Sequence, residues 1–451
     1  MSAGYIRVKQ SGPLEGKVSL SGAKNAVLVI MSSLLLTSGK SVLKNVPALS
    51  DVHQMIGILK SLGAQIQFDE EHNILEVDTL TLQHNEIAQE CVKKFRASLL
   101  VLGPLLARFS EVKLALPGGD EIGKRPIDYH IKNFIKMGAQ VYLEDDFLYA
   151  QSAGLKNQKI VLDYPSVGAT ENLMMALTLV PGESWIINAA LEPEVLDLIQ
   201  VLQKMGAQVE IMPPAMIKIT GVTALKPIEH TVMFDRLEAG SLLTAGALSK
   251  GDVYLPDAQT YHMDLFLMKL EEMGNKIEIG KDGIGVRIKG AKKQRSVSFK
   301  TAPYPGFATD LQPLMMVAQT TTFGVSEIVE TVFENRFLHA PELNKMGAQI
   351  HATGHFAKVT GVKELHGAEV IATDIRAACA LALAGIVAEG QTTIDGLSHW
   401  KRGYETLDDK LRSLGASIDL VESQEIVSNK VAPAVQSGSD IAKTLVDKDY
   451  I

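Results

Sequence analysis

Along this chain, segments that interleave charged and apolar residues, such as MDLFLMKLEE, run into a glycine and then into alternation such as KIEIG. The pattern occurs six times. SLGAQI, KMGAQV, KMGAQV, EMGNKI, KMGAQI and SLGASI place Gly63, Gly138, Gly206, Gly274, Gly347 and Gly415 at intervals of 68 to 75 residues. A glycine closing an amphipathic run predicts a helix C-cap, because it takes positive φ without a Cβ clash, and the alternation beyond it predicts a strand. A second mark recurs between these. GKSVLKN, SEVKLAL, GESWIIN, GDVYLPD, GVSEIVE and GQTTIDG each read as a turn followed by a strand, preceded by apolar helical runs such as ASLLVLGPLLA and LALAGIVAE. Each repeat is therefore roughly strand, helix, turn and strand, helix, strand. Two matched marks at near-constant spacing argue for six real units rather than coincidence.

A chain of 451 residues exceeds the size at which one core usually stops growing, and six such units divide most economically as three plus three. The expected boundary lies near VMFDRLEAG. It gives a first domain over 24–233, a second over 234–424 together with 1–23, and an extension over 425–451. The strand YIRVKQ precedes the first full repeat and is expected to complete the second half. Composition changes little: 46% hydrophobic and 21% charged residues describe an ordinary globular chain. A net charge of −8 argues against a nucleic-acid surface but leaves room for a small basic pocket. The two cysteines, Cys91 and Cys379, read as buried thiols of a reducing compartment. AVLVIMSSLLL is too short to span a bilayer and does not open the chain as an export signal would, so a cytoplasmic protein without stable membrane insertion is expected.

Candidate chemistry gathers at the expected starts of elements. SGAKNA puts Lys24 and Asn25 at the mouth of an apolar helix, where backbone N–H groups attract anions. Arg96 in KKFRAS, Lys124 and Arg125 in GKRP, Arg376 in TDIRAACA and Arg402 in HWKRGYE stand at similar places, each read as opening or preceding a helix. Spread over both halves, these bases can converge in a cleft between domains, where ligands commonly bind. Asp310 after PYPGFAT, Asp374, Glu238 and Glu334 are acidic candidates, although an N-cap or salt bridge is the ordinary fate of each. His130 reads equally as an interior hydrogen-bonding residue or a catalyst. The histidines lack zinc-site spacing, and no GxGxxG or Walker-type loop occurs. Asp120, in LPGGDEIGKRP, reads either as a turn former or as an acid beside an anion site.

The ordered set SGAKNA, KKFRAS, LPGGDEIGKRPIDYH, PSVGATEN, TAPYPGFATDLQ, TVFENRF, ATDIRA and HWKRGYE closely resembles the UDP-N-acetylglucosamine 1-carboxyvinyltransferases, over about residues 5 to 424. These are the enolpyruvyl transferases that open peptidoglycan synthesis. The resemblance implies an α/β inside-out barrel of two domains, each holding three βαβαββ units about a pseudo-threefold axis, with the N-terminal strand joined to the C-terminal half. It implies transfer of the enolpyruvyl group of phosphoenolpyruvate to the 3-hydroxyl of UDP-N-acetylglucosamine. Phosphate leaves after a tetrahedral intermediate, and neither metal nor cofactor takes part. The related synthase acting on shikimate 3-phosphate normally begins with an SKS-type segment in place of SGAKNA. Two further readings compete with a transferase. One is a repeat-built phosphate cyclase, which would need a nucleophilic histidine; the other is a non-catalytic regulator that binds a UDP-sugar. A monomer is expected.

By the same resemblance, Lys24, Arg125 and Arg402 clamp phosphoenolpyruvate, and Arg96 supports that anionic site. Asn25 and Val332 meet the sugar, and Asp310 accepts the proton of the acceptor hydroxyl. Asp374 and Arg376 organise the site. Arg125, Pro126, Ile127, Asp128 and Tyr129 lie near the uracil, while Ser166, Val167 and Gly168 meet the diphosphate. A lysine frequent ahead of SVGAT is replaced by Tyr164. Asp120 stands where most of the family carries cysteine, which implies that a carboxylic acid, or else Lys24, protonates C3 of phosphoenolpyruvate. Fosfomycin alkylates the family's thiol, so resistance to it is expected here.

Overall fold

The computed structural model describes residues 4–83, 86–87, 96–116, 122–123 and 127–422. Its strands form six four-stranded sheets with one shared order. In each, a parallel pair occupies one edge and two antiparallel neighbours follow. The unit beginning at Lys159–Val161 serves as the pattern. That strand leads through helix Val167–Leu177 to Glu183–Ile187, pairing Lys159 with Trp185 and Ile160 with Ile186 in parallel. Helix Pro193–Met205 then leads to a hairpin of Gln208–Met212 and Met216–Thr220, whose second strand returns beside Glu183–Ile187. A parallel pair needs a crossover, and the helix supplies it.

Three sheets borrow a strand from elsewhere in the chain. Gly4–Lys9 lies antiparallel between Gln391–Asp395 and Ser417–Glu422, Glu15–Lys17 runs parallel to Asp252–Gln259, and Glu229–Thr231 runs parallel to Lys40–Lys44. Buried apolar side chains correspondingly form two clusters. The first runs from Ala23 to Val232, and the second combines Ile6 to Leu20 with Leu237 to Ile418.

The two helices of each unit differ in kind. Pro193–Met205 leaves Gln200, Gln203 and Lys204 to solvent, whereas Val167–Leu177 is buried along almost its whole length. Lys24–Ser33, Leu102–Phe109, Arg236–Leu248, Gln312–Gln319 and Ile375–Val387 are the corresponding inner helices, and the last three pack on one another. A helix apolar on all sides gains by being enclosed, so helices fill the middle of each cluster and the sheets face outward. This is the inside-out α/β barrel expected from the resemblance. The six glycines that end the outer helices all have φ between 92° and 106°. A side chain there would cost roughly 1–2 kcal/mol in the left-handed region.

Candidate active site

The inner helices present their N-termini to the residues singled out from sequence. Lys24 opens Lys24–Ser33, Arg96 opens the turn Arg96–Val101 ahead of Leu102–Phe109, and Ser166 caps Val167–Leu177. In the second cluster Asp235 caps Arg236–Leu248, Asp310 lies in the turn Thr309–Leu311 ahead of Gln312–Gln319, and Asp374 caps Ile375–Val387. Unpaired N–H groups and the positive end of the dipole make such termini suited to carboxylates and to anionic ligands alike.

Five of the expected residues meet in one polar cluster, through partners that carry no mark in the sequence. Asp51, in the first turn of helix Ser50–Ser61 and 3% exposed, accepts from Lys24 Nζ at 3.2 Å and from Arg402 Nε at 3.0 Å, one oxygen to each. Asp310 accepts from Arg376 Nε at 3.2 Å and Nη2 at 3.1 Å, and from Arg336 Nη2 at 2.7 Å. Asp374 accepts from the N–H groups of Arg376 at 2.8 Å and Ala377 at 3.1 Å, with Arg336 3.9 Å away. Arg376 donates to the Tyr404 hydroxyl at 3.1 Å. Lys24 and Asp51 come from the first cluster's segments, and the other members from the second.

Burial and charge act together on these groups. Burial lowers the Lys24 pKa and the Arg376 and Arg402 cations lower it further, while Asp51 opposes them. Burial alone would raise Asp310, but Arg376, Arg336 and Lys24 outweigh it and hold the carboxyl well below the usual range. Asp310 is therefore ionised at neutral pH. Burial pushes the Tyr404 phenol far up, so it remains a neutral partner of Arg376.

A second group lies on the first cluster. Ile127 precedes helix Asp128–Lys136, which packs on Val167–Leu177. Asp128 is exposed, and Tyr129 and Val167 are partly buried. A Cβ at Gly168 would stand 3.7 Å from His130. Burial raises the Tyr164 pKa, and Glu192, Glu330 and Tyr129 add to the effect. Val332 belongs to a loop held by Glu330, which accepts from the N–H groups of Val332 at 2.8 Å and Phe333 at 3.2 Å. The other oxygen of Glu330 takes the Thr309 hydroxyl at 3.0 Å, tying the Val332 loop to the turn that carries Asp310. Ile122 and Gly123 reach the same region. Asn335 N–H donates to Ile122 O at 3.0 Å, and a side chain on Gly123 would collide with Glu334.

Comparison with known proteins decides the family. The sequence profile described as EPSP synthase (3-phosphoshikimate 1-carboxyvinyltransferase) matches residues 8–411. UDP-N-acetylglucosamine 1-carboxyvinyltransferase 1 of Caldanaerobacter subterraneus subsp. tengcongensis is 46% identical over 411 residues, covering 91% of this chain and 98% of its own. The protein of the same name from Staphylococcus aureus strain MRSA252 is 46% identical over 418 residues, covering 92% and 99%. The chain belongs to the UDP-N-acetylglucosamine 1-carboxyvinyltransferase family. The enolpyruvyl transferase NikO from Streptomyces tendae shares the fold, with a TM-score of 0.85 at 24% identity over 94% of this chain and all of that one. EPSP synthase from Acinetobacter baumannii does so with a TM-score of 0.74 at 17% identity over 92% of this chain and 99% of that one.

Of the residues carried over from this enolpyruvyl transferase family, Lys24, Asp310, Asp374, Arg376 and Arg402 stand together. Asn25 is exposed on the first turn of Lys24–Ser33, and Arg96 is half-buried near His130. Asp120, Arg125 and Pro126 lie outside the described residues, as do Lys124, Cys91 and the extension over 425–451. One placement is corrected. Arg402 does not open a helix but lies in the last turn of Leu397–Gly403, because Gly396, at φ 109°, starts that helix earlier. His130 is an interior residue, bonded to Asn172 at 3.1 Å, with its pKa lowered to about 3 by burial and by Arg96. Arg336 lay within TVFENRF but carried no separate signal. Asp51 looked like any acid in the first turn of a helix.

Proposed function

We propose that this chain transfers the enolpyruvyl group of phosphoenolpyruvate to the 3-hydroxyl of UDP-N-acetylglucosamine, releasing phosphate. The observation that carries the reading is the cluster itself: among the described residues, Lys24 and Arg402 converge on Asp51, and Arg376 and Arg336 on Asp310 and Asp374. Four cations gathered in a buried setting are suited to holding an anion. Lys24, Arg402 and Arg125 take the phosphate and carboxylate of phosphoenolpyruvate, with Arg96 in support. Ile127, Asp128, Tyr129, Ser166, Val167 and Gly168 take the nucleotide, with Pro126, and Asn25 and Val332 the sugar. The segments 24–233 and 1–23 with 234–424 act as two domains around this cleft.

Asp310 receives the proton of the sugar hydroxyl as its oxygen attacks C2, and Asp120 delivers a proton to C3. Asp120, now a carboxylate, takes a proton back from C3 as the C2–O bond to phosphate breaks, and the double bond is restored. A carboxylate with a depressed pKa is a weak base, and the cations that depress Asp310 are those beside the anion site. Phosphoenolpyruvate bound there offsets their charge and raises the basicity of Asp310 when it is needed.

Phosphate release measured with both substrates, with each omitted, and with shikimate 3-phosphate in place of the amino sugar tests the reading. Release that needs UDP-N-acetylglucosamine supports it; release with shikimate 3-phosphate alone rejects it. Intact mass after fosfomycin treatment tests Asp120: no adduct on the native chain, and a stoichiometric adduct on Asp120→Cys, are expected.

A further inference from the structure

Asp51 has no place in the reaction just described, yet both of its oxygens are committed to residues that do. It sits in the first turn of Ser50–Ser61, almost wholly buried, and its two partners arrive from different core clusters. Lys24 opens an inner helix of the first, and Arg402 ends Leu397–Gly403 in the second. The same crossing carries a further bond, from Ala48 N–H to Glu405 at 2.7 Å. The segment around Asp51 is thus gripped from the second cluster at two points.

We infer that Asp51 is a positioning residue for enolpyruvyl transfer, which fixes the spacing of Lys24 and Arg402 and is the direct counter-ion of the Lys24 ammonium. The inference rests on the proposed reaction. The geometric part follows from the two bonds, 3.2 Å and 3.0 Å, to opposite oxygens of one short side chain. A carboxylate in that position sets the distance between an ammonium and a guanidinium more tightly than either long side chain could alone.

The electrostatic part follows from what faces Lys24. Arg376 from Ile375–Val387 and Arg402 from Leu397–Gly403 act against its charge, as does burial. Asp51 from Ser50–Ser61 and Asp310 from Thr309–Leu311 act for it. Asp51 is the one of these two that bonds Lys24 directly. Removing its charge takes away a raising influence, so the ammonium loses its proton at lower pH. Activity that requires charged Lys24 then fades earlier on the alkaline side.

The test compares kcat/KM for phosphoenolpyruvate in the native enzyme, Asp51→Asn and Asp51→Glu from pH 6.5 to 9.5. Asp51→Asn is expected to be about a hundredfold slower at pH 7, the size typical of breaking a buried charged pair. Its deficit should widen by a further roughly tenfold toward pH 9 as the unsupported ammonium deprotonates. Asp51→Glu keeps the charge at the wrong length, so its deficit should stay constant with pH. A deficit in Asp51→Asn that does not change with pH overturns the inference, because a purely structural loss has no reason to follow Lys24. Should Asp51→Asn not fold, a deficit in Asp51→Glu that widens with pH overturns it instead, and a constant deficit supports it. Competitive labelling of Lys24 by a small amine reagent across pH, read by peptide mass spectrometry without substrates, separates this inference from the proposed reaction. Earlier deprotonation in Asp51→Asn supports the role of Asp51 even if the native chain were to transfer nothing, whereas unchanged labelling rejects it.

Discussion

Among the described residues, two charged crossings that join the core clusters are opposite in character. At the first, in the ion pairs among the described residues, Lys24, Arg402, Arg376 and Arg336 outnumber Asp51, Asp310 and Asp374. At the second, Arg236 grips Glu194 with two bonds, at 2.9 Å and 3.2 Å, while Glu171 lies buried and Glu192 partly buried nearby. Here the carboxyl groups outnumber the guanidinium. Burial pushes Glu171 up, and Glu194 and Glu192 add to the effect; burial likewise raises Glu192. The acid-rich crossing relieves its excess by holding protons. The cation-rich crossing can shed charge only through Lys24, because its three guanidinium groups do not give up their protons, and a bound anion offsets what remains. A buried ion pair with matched partners fastens two parts together, whereas a surplus of one sign makes a binding site.

The contrast is sharpest at Asp310. Asp310→Asn keeps the size of the side chain but removes its basicity, so turnover should fall about a thousandfold, with UDP-N-acetylglucosamine affinity changed only a few-fold. Equal losses in kcat and affinity would move Asp310 from proton transfer to binding. At the acid-rich crossing, Arg236→Ala strands Glu194 beside two other carboxyls and should cost about 3–5 kcal/mol of stability. Chemical denaturation gives that number directly. A variant as stable as the native chain would show that the pair does not fasten the clusters.

Arg402→Lys returns to the cation-rich side with a smaller change. One ammonium cannot reproduce the planar fork, so the KM for phosphoenolpyruvate should rise about tenfold while folding is unaffected. A native phosphoenolpyruvate titration would remove Arg402 from the clamp. The smallest effect is expected at Glu171. A carboxyl whose folded pKa is raised keeps its proton in the native state, while the unfolded chain ionises above about pH 4.5. Native stability therefore declines as pH rises from there toward the folded pKa. Glu171→Gln should flatten that decline in a series of melts between pH 5 and 8. An unchanged slope would mean that Glu171 does not carry the excess acidity.

Several features were legible in the chain alone because they depend on neighbours in sequence. Six helix ends at Gly63, Gly138, Gly206, Gly274, Gly347 and Gly415 required positive φ, and periodicity on either side named the elements. Lys24, Asp310, Asp374 and Arg376 could be picked out because each stands at a break between a loop and an apolar run. The wholly apolar inner helices, such as LALAGIVA, announced their own burial.

The partners of those residues were a different matter. Asp51 and Arg402 are separated by 351 positions, and Arg236 and Glu194 by 42, with nothing in either local pattern to pair them. The borrowed strand Gly4–Lys9 finds its two neighbours more than 380 residues away. Local propensity and periodicity are set by the backbone and by burial on one face, and these a sequence carries within a few turns of chain. Charge pairing depends on distance in space, and only the meeting of two core clusters brought these groups close enough, and dry enough, for one carboxylate to hold two cations at once.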